Sequence, residues 1–408
     1  MKAGVKWPTF AYEEYCGRIE RAKQCLEKHD LDAMLLFSPT NWWYYAGFRD
    51  AAQMHNDVWR SCLIVCRERD PIAVVHAAFQ WCIATMSYVE DVRVWSESDH
   101  FMVQMFPNSF YELFFGTIEE LGLANKTLGI ETGPDIETYL SFDEYEMIKQ
   151  RLNQARIVSA DKAIWDQRMI KTPFEQALIR EGSRRACECV RGAYETIRPG
   201  VNELDVHRAF WRKAVELDMI EAPYHGTWLC FSSNKDEVMG VDRWITGPVD
   251  RIIQEGDQGL CDCGPTYKGY QLDFQRTFYV GEPPLDMVRY HDIATEAHLE
   301  TVAMMKPGVR MCDLFQKSLD ALKKRDYEHP HIISFIGHQE GLSNHEPPWV
   351  TAAEETPLQP GMVVAIEIGA FDPNREYFGG MPEDIILITE NGHENLTASL
   401  SHKLWVAK

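Results

Sequence analysis

An internal repeat in the C-terminal part of the chain is the sequence feature that most constrains the fold. Residues 199–205 (PGVNELD) match residues 307–313 (PGVRMCD) at an offset of 108 residues. Residues 254–264 match residues 359–369 in the same order, at an offset of 105 residues. Matched segments at nearly the same offset indicate duplication of one structural unit. We therefore expect two helix-then-strand units related by a pseudo-two-fold axis.

The repeat places four acidic residues in equivalent positions. Asp262 and Glu367 each end an apolar segment, and Asp273 and Glu383 each follow a glycine turn. A pseudo-two-fold arrangement would bring these four carboxylates together. Buried carboxylates repel one another unless cations lie between them or some of them stay protonated. Two divalent cations would balance the four negative charges, so the sequence predicts a dinuclear metal site.

A histidine of the second unit is the expected fifth ligand. His338 lies between Gly337 and Gly341, and these glycines permit close backbone approach. Four carboxylates and one imidazole suit Mn²⁺, Fe²⁺, Co²⁺ or Zn²⁺, which the sequence does not rank. Two such ions can deprotonate a bridging water, and the hydroxide can attack a carbonyl or amidine carbon. In that reaction we expect His345 to donate to the oxyanion, and Glu367 to act as ligand and proton shuttle.

The same residues allow other interpretations. A single aspartate at a strand end is often a turn former or cap, and His345 is also compatible with a polar loop. The set is also compatible with a decayed metal site kept for structure, although no ligand position is lost. The joint spacing favours a working site. Structural zinc is not expected at Cys187/Cys189 or Cys261/Cys263, because neither C-x-C pair has a second half.

Composition limits the partners and the compartment. The formal net charge of −21 disfavours nucleic acid, whose phosphates require a basic surface. The sequence has no run of about 18 apolar residues to span a bilayer, and no apolar signal-peptide core follows its first lysines. The eleven cysteines form no paired framework, which is typical of a reducing compartment. We expect a cytoplasmic protein with neither nucleic-acid nor membrane partners.

A change of pattern near residue 160 predicts two domains. Residues 1–160 alternate helical and strand-like segments, which is typical of an α/β domain. At Thr172, a capping-box sequence with proline at the first helical position opens a long helix that runs to about Ile197. Residues 161–408 form the second domain, which contains the repeat. The strand-like runs of the first domain are residues 33–37, 62–65, 72–75 and 128–130.

At these motifs the chain resembles the pita-bread metallopeptidases, which include methionine aminopeptidase, aminopeptidase P, prolidase and creatinase. The resemblance covers about residues 160–400, and residues 38–48 are also similar to the creatinase–prolidase N-terminal domain. It implies an α/β N-terminal domain, an α+β pita-bread C-terminal domain with the internal repeat, and a homodimer. The implied metal ligands are Asp262, Asp273, His338, Glu367 and Glu383; the other matching residues are Arg276, Thr277, Gly341, Leu342, His345, Glu346, Pro348 and Asp384.

The chain departs from the proline-specific peptidases of this family in three places. Gln339-Glu340 replaces a small Gly-Ile pair, and Met381-Pro382 stands where prolidase-like members carry an arginine. Without that arginine, the terminal carboxylate of a dipeptide lacks an obvious partner. The substrate-pocket histidine expected near residues 244–246 is missing, and His225 is the nearest candidate for it.

The sequence supports three functional classes. The first is a metal-dependent hydrolase of Xaa-Pro aminopeptidase or dipeptidase type, acting on a small peptide. The second is a non-peptidase enzyme on the same scaffold, which cleaves a C–N bond of a small metabolite as creatinase does, or eliminates as the related dimethylsulfoniopropionate lyases do. The third is a non-catalytic binding protein. A basic insertion or the loss of a ligand would support this class, and the sequence has neither. The aromatic residues 42–45, with His55 and Trp59, either cap a small cationic ligand of the partner subunit or pack in a core.

Overall fold

The computed structural model describes residues 5–48, 59–96, 109–219, 228–232, 248–329, 334–374, 377 and 379–408. The chain forms two compact units, Met1–Arg168 and Met169–Lys408, each with its own apolar core. Within these ranges, no helix combines the length and the apolar character needed to cross a bilayer.

The first unit is built on one mixed six-stranded sheet, so the predicted α/β class is confirmed. Its strands are β1 (Ala33–Leu36), β2 (Cys62–Cys66), β3 (Ile72–His76), β4 (Asp91–Trp95), β5 (Thr127–Ile130) and β6 (Arg156–Ser159). Its helices are α1 (Tyr12–Lys28), α2 (Pro39–Ala46), α3 (Gln80–Met86), α4 (Phe110–Glu120), α5 (Phe142–Arg151) and α6 (Asp161–Arg168), with a 3₁₀ turn at Ala77–Phe79. The strand order is β4-β3-β2-β1-β5-β6, with β1–β2 and β2–β3 antiparallel and the other pairs parallel.

The central strands of this sheet are buried on both faces. Every residue of β1, β2 and β3 is buried. Leu35 and Ile64 pack with Phe114 of α4 and Ile148 of α5 in one apolar cluster. Strands covered on both faces carry continuous apolar runs instead of an alternating pattern, which explains the strand-like runs of the sequence.

The aromatic residues 42–45 belong to α2 and are buried within the first unit. Trp42, Tyr44 and Tyr45 are 0% exposed and Trp43 is 6% exposed. The indole N–H of Trp42 donates to the carbonyl of Leu36 at 3.1 Å. Packing inside this unit therefore accounts for the four side chains, and the idea that they cap a ligand gains no support from them. His55 lies outside the described residues.

The second unit has four helices among its described residues, two four-stranded sheets and a short hairpin. The helices are α7 (Pro173–Tyr194), α8 (Glu203–Glu216), α9 (Leu285–Val302) and α10 (Met311–Lys323). The strands are β7 (Trp228–Ser232), β8 (Gln258–Cys263), β9 (Thr266–Tyr267), β10 (Tyr270–Gln271), β11 (Phe274–Val280), β12 (Gly337–Gln339), β13 (Val363–Glu367), β14 (Glu383–Ile388), β15 (His393–Asn395) and β16 (Trp405–Ala407). The sheet orders are β16-β11-β8-β7, β12-β13-β14-β15 and β10-β9.

The predicted duplication is confirmed in the backbone of the second unit. Each half has two packed helices, α7 and α8 or α9 and α10, followed by an antiparallel strand pair, β8–β11 or β13–β14. Gly256 and Gly361 have φ of 90° and 89°, and their N–H groups donate to the carbonyls of Val280 and Ile388. Glycine adopts this positive φ without steric cost, so the same turn starts the strand pair in both halves.

Helix α7 begins where the capping-box sequence predicts. The Thr172 hydroxyl accepts the N–H of Glu175 at 3.1 Å, and the Glu175 carboxylate accepts the N–H of Thr172 at 2.9 Å. A side chain at Gly182 of this helix would meet Leu272 at 2.8 Å and Tyr267 at 3.0 Å. The glycine thus lets α7 lie directly against the β9–β10 hairpin and the segment that leads into Asp273.

Candidate metal centre

The five predicted ligands come from two different sheets of the second unit. Asp262 lies in β8 and Asp273 directly precedes β11, in one sheet. His338 lies in β12, Glu367 ends β13 and Glu383 begins β14, in the other. Glu367 and Glu383 are directly opposite each other in the antiparallel pair β13–β14. These side chains can meet only because the two halves of the unit pack together.

The structure brings all five side chains together. Asp262, Asp273 and Glu383 each offer a carboxylate oxygen within 4.8 Å of the others. The ligand atoms of His338, Glu367 and Glu383 also lie within 4.8 Å of one another. Glu383 is common to the two groups. Two overlapping groups with one shared carboxylate suit a pair of adjacent ions, as two-metal sites require.

The His338 ring is oriented as a metal ligand. Its Nδ1 lies 2.9 Å from the backbone carbonyl of Gln339, which can only accept, so Nδ1 carries the proton. Its Nε2 lies 3.7 Å from Asp273 Oδ2 and 3.7 Å from Glu383 Oε1. This buried Nε2 has no hydrogen-bond partner in the described part of the chain. A neutral imidazole held through its other nitrogen is the usual state of a ligating histidine.

Burial and mutual repulsion shape the proton affinities of the site. Burial raises the pKa of Asp262 to about 6, and burial with the nearby Asp262 carboxylate raises the pKa of Glu367 to about 8. The pKa values of Asp273 and Glu383 lie well above the usual range, through burial and then through neighbouring carboxylates. Burial, with His345 next to it, lowers the pKa of His338 to about 3. When no cation is bound, these carboxyl groups therefore keep their protons to higher pH than ordinary carboxyl groups do, whereas His338 stays neutral.

The donor set fits two divalent cations. Among the described residues, the basic groups within ion-pair distance of these carboxylates are the imidazoles of His338 and His345. Uncharged imidazoles do not balance four acids, whereas two divalent ions do. Carboxylate oxygens with one imidazole nitrogen suit first-row divalent metals. The orphaned Nε2 of His338, aimed at Asp273 and Glu383, supports the same assignment.

Three further side chains hold the candidate ligands in place. The Asn344 amide donates to Asp273 Oδ2 at 2.5 Å, and the Gln275 amide donates to Glu367 Oε2 at 3.4 Å. The buried Glu340 carboxylate accepts the backbone N–H of Asp273. Sequence reasoning singled out Glu340 only as a departure from the family pattern, and it missed Asn344 and Gln275. Their positions next to His345 and two residues after Asp273 were the signals that were available.

His345 lies at the edge of the carboxylate cluster. Its Nε2 is 3.6 Å from Asp273 Oδ2, and its side chain is 45% exposed. Its ring stands perpendicular to that of His338, with centroids 4.3 Å apart, and is tilted against Trp349 at 5.4 Å. A side chain that touches the cluster and also faces outward is placed to contact a bound substrate.

A buried ion pair shapes the turn that presents His345. Lys171 Nζ lies 3.4 Å from Glu346 Oε2, and each side chain is 1% exposed. The other carboxylate oxygen of Glu346 accepts the N–H groups of Leu342 and Ser343, at 2.9 and 3.2 Å. Glu346 therefore folds residues 342–346 back on themselves and fixes the base of His345.

One predicted site residue belongs to a part of the chain that the structure does not describe. His225, the candidate substrate-pocket histidine, lies outside the described residues, as do residues 244–246. Met381, which the resemblance sets against an arginine of prolidase-like members, is buried at 5% exposure.

Comparison with known proteins places these features in a family. The chain matches Metallopeptidase family M24 over residues 177–390 and the Creatinase/Prolidase N-terminal domain over residues 18–170. It is 32% identical to the Xaa-Pro dipeptidase of Pyrococcus furiosus over 284 residues, 69% of this chain and 77% of that protein. It is 27% identical to a creatinase of Bacillus sp. over 411 residues, 96% of this chain and 92% of that protein.

The fold agrees with that of a solved relative. The prolidase from Pyrococcus horikoshii has a TM-score of 0.74 with this chain at 26% identity, covering 93% of this chain and 98% of that chain. The family match spans the repeat and includes every residue of the carboxylate cluster. From its sequence match and its fold, the chain belongs to metallopeptidase family M24.

Proposed function

We propose that this chain is a metal-dependent peptidase that cleaves the Xaa-Pro bond of dipeptides or of short peptides. The observation that carries the proposal is the convergence of four carboxylates and the orphaned Nε2 of His338 in two overlapping groups that share Glu383. The other carboxylates are Asp262, Asp273 and Glu367. The Xaa-Pro dipeptidase of Pyrococcus furiosus, 32% identical, supports the substrate class.

The five clustered residues would hold two divalent ions, and two other roles fall to this chain's own side chains. Bound ions lower the pKa of a water and stabilise the anion formed by attack on a carbonyl carbon. Glu367, whose Oε2 accepts from the Gln275 amide at 3.4 Å, is placed to take a proton from the water and return it to the leaving nitrogen. His345 is exposed on one side, and its Nε2 would donate a hydrogen bond to the oxyanion.

A second candidate is hydrolysis of a C–N bond in a small metabolite, or elimination from one. One observation favours it: Glu340 is a buried acid beside Asp273. The resemblance adds that Met381 stands where prolidase-like members carry an arginine, a group that would bind a peptide carboxylate. The similarity to a creatinase extends over 96% of this chain. Burial raises the pKa of Glu340 well above its usual range, so this residue adds a further carboxyl group next to the candidate ligands.

A substrate comparison tests the two candidates. The purified protein is incubated with Mn²⁺ or Co²⁺ and with Ala-Pro, Ala-Pro-Ala or creatine, and the products are identified by mass spectrometry. The proposal predicts release of proline or of the N-terminal residue, lost with a chelator and restored by metal. Turnover of creatine with no peptide cleavage would reject the peptidase and support the second candidate.

A matched pair of variants ties turnover to the site. Asp273→Asn removes a candidate ligand and is expected to abolish turnover. Asp257→Asn removes another buried carboxylate of the same unit, which pairs with both terminal nitrogens of Arg251 at 2.5 and 2.9 Å. Asp257→Asn should lower stability and keep activity. Equal activity in the two variants would show that turnover does not depend on the carboxylate cluster.

A homodimer, a cytoplasmic location and a metal drawn from Mn²⁺, Fe²⁺, Co²⁺ and Zn²⁺ are kept as predictions from the sequence. Light scattering of the purified protein tests the first, cell fractionation tests the second, and metal analysis of protein purified without added metal tests the third.

A further inference from the structure

A buried ion pair links the two halves of the second unit beside the candidate ligands. Arg276 lies in β11, three residues after Asp273, and Asp384 lies in β14, directly after Glu383. β11 pairs with β8 and β16, whereas β14 pairs with β13 and β15. Arg276 Nη2 donates to Asp384 Oδ1 at 2.6 Å, and Nη1 donates to the backbone carbonyl of Glu383 at 2.5 Å. Arg276, a side chain of one sheet, thus binds the strand of the other sheet that carries Glu383.

The Arg276 guanidinium is fully engaged. Its N–H groups reach five acceptors, and its side chain is buried. A planar guanidinium directs its donors along fixed lines, so it restricts the segments around it more than a lysine would. Those segments are β11, β14 and the backbone at residues 400–401. The five acceptors are Asp384 Oδ1 and the backbone carbonyls of Gln275, Glu383, Leu400 and Ser401.

The Asp384 carboxylate is engaged to the same extent. It is 0% exposed and accepts hydrogen bonds from five side chains. These donors come from β11, from α9 and from the C-terminal segment 395–402, so a single carboxylate joins three parts of the unit. The donors to Oδ1 are Arg276 at 2.6 Å and Thr397 at 2.7 Å, and those to Oδ2 are His298 at 2.9 Å, Asn395 at 2.8 Å and His402 at 2.7 Å.

This cluster is not a second metal site, although His298, Asp384 and His402 have ligand atoms within 4.8 Å of one another. Burial would raise the pKa of Asp384, but the Arg276 guanidinium and the two imidazoles hold it well below its usual range. An ionised carboxylate only accepts, so both histidines direct an N–H at it from Nε2. Those nitrogens have no lone pair left for a cation, and the guanidinium would repel one.

We propose that Asp384 and Arg276 are positioning residues, which set the distance between Glu383 and Asp273, and that His402 brings the C-terminal segment into this support. The inference rests on the proposed function only in taking Asp273 and Glu383 as metal ligands. Glu383 belongs to both three-residue groups, so a shift of β14 against β11 would disturb both metal positions. Residues that orient metal ligands typically change metal affinity by about 10- to 100-fold when they are replaced.

Cobalt binding tests the inference without any turnover assay. Co²⁺ is titrated into the metal-free full-length protein, and both affinity and the visible absorption spectrum are recorded for the unmodified chain, Asp384→Asn and Arg276→Lys. Asp384→Asn keeps the size of the side chain and loses its charge, whereas Arg276→Lys keeps the charge and loses the fork. Both are expected to bind Co²⁺ about tenfold or more weakly, with an altered spectrum.

Asp257→Asn is the matched control, because Asp257 is also a fully buried carboxylate paired with an arginine of the same unit. It should bind Co²⁺ as the unmodified protein does, even if its unfolding temperature falls. Unchanged Co²⁺ affinity and spectrum in Asp384→Asn would reduce Asp384 to a purely structural residue and overturn the inference.

His402→Ala decides the matter if Asp384→Asn does not fold. It removes one donor whose side chain is 18% exposed and leaves the Arg276–Asp384 pair in place. A several-fold loss of Co²⁺ affinity supports the inference, and an unchanged titration rejects the role of the C-terminal segment. An unmodified protein that takes up no Co²⁺ would reject the metal site of the proposed function instead. Co²⁺ uptake without Xaa-Pro cleavage would reject that function and leave the present inference standing.

Discussion

His338 and His345 lie side by side at the carboxylate cluster, but they are presented differently. His338 is buried, with Nδ1 committed to the Gln339 carbonyl and Nε2 aimed at the acids. His345 is exposed on one side, and its Nε2 lies 3.6 Å from Asp273 Oδ2. At the scale of single residues, the structure thus separates an imidazole suited to hold a cation from one suited to meet a substrate.

Replacement of His345 should impair turnover and spare metal binding. We expect His345→Ala to lower kcat by about 10²- to 10³-fold, the usual effect of losing one donor to an oxyanion. His345→Gln, which keeps an N–H donor, should recover part of this loss. Steady-state kinetics and metal analysis of both variants check the expectation. A His345→Ala protein that loses its metal would show that His345 acts as a ligand.

The raised pKa values of the acids predict how pH acts on the metal-free protein. The pKa of Asp262 is about 6 and that of Glu367 is about 8, whereas carboxyl groups of an unfolded chain titrate near ~4. The folded state therefore holds more protons than the unfolded state between these values, and its stability falls as pH rises from about 4 to 8.

Metal reverses this dependence, because divalent ions bind the deprotonated acids. Urea unfolding at pH 5, 6.5 and 8 should show declining stability with a chelator. With excess Mn²⁺, it should show a metal-induced stabilisation that grows toward pH 8. A metal effect that is independent of pH would contradict the assignment of these acids as ligands.

At the scale of elements, β12 depends on a glycine immediately before its histidine. A Cβ at Gly337 would overlap the backbone carbonyl oxygen of Ala365 in β13. Gly337 pairs with Ile366, and His338 pairs with Ala365, in the β12–β13 ladder. Close approach of the two backbones at this point is what brings His338 to the level of Glu367 and Glu383.

Gly337→Ala should therefore separate β12 from β13 and move His338. We expect a loss of about 1–3 kcal/mol in the free energy of unfolding, typical of overpacking, and weaker binding of Co²⁺. Gly392→Ala is the control, since a Cβ there meets nothing within 4 Å. Urea unfolding and Co²⁺ titration measure the two effects. Full metal affinity in Gly337→Ala would show that β12 can shift without moving its histidine.

The elements that the sequence predicts are those with a local signal. Thr172 opens α7 through a capping box, and the glycine turns at Gly256 and Gly361 mark the repeat. The contacts of Asp384 have no such signal. Its donors His298 and His402 are separated from it by 86 and 18 residues, so only the packed tertiary structure brings them together.

At the scale of the whole molecule, metal binding should link both halves of the second unit. Elemental analysis of the purified protein should give about two equivalents of a transition metal per chain, and Asp262→Ala should lose metal. Metal at 100 times its Kd would stabilise the folded chain by about 2.7 kcal/mol for each independent site. Thermal unfolding with and without chelator measures this gain. A protein that neither contains nor rebinds metal would refute the dinuclear site.

The sequence was sufficient for the fold class and for the five clustered residues because duplication and family motifs are both encoded in short segments. It did not reveal that Asn344 and Glu340 support Asp273, because that contact depends on the path of the turn after β12. The role of residues 42–45 was left open by their composition, since aromatic side chains serve equally in cores and in ligand sites. Their complete burial in α2 favours the core.

The equivalence of the two halves has a further consequence for how such a centre can arise. Asp262 with Asp273, and Glu367 with Glu383, are the same pair of acids, once in each half. A symmetric homodimer of a chain of half this length would already place four carboxylates around its two-fold axis. Any other residue at that site would then occur twice, once in each subunit. After fusion into one chain, the two halves can differ in sequence, and a residue can be present in one half alone. His338 and His345 belong to the second half, so the two sides of the cluster carry different side chains, and a bound substrate would meet unlike groups on its two sides.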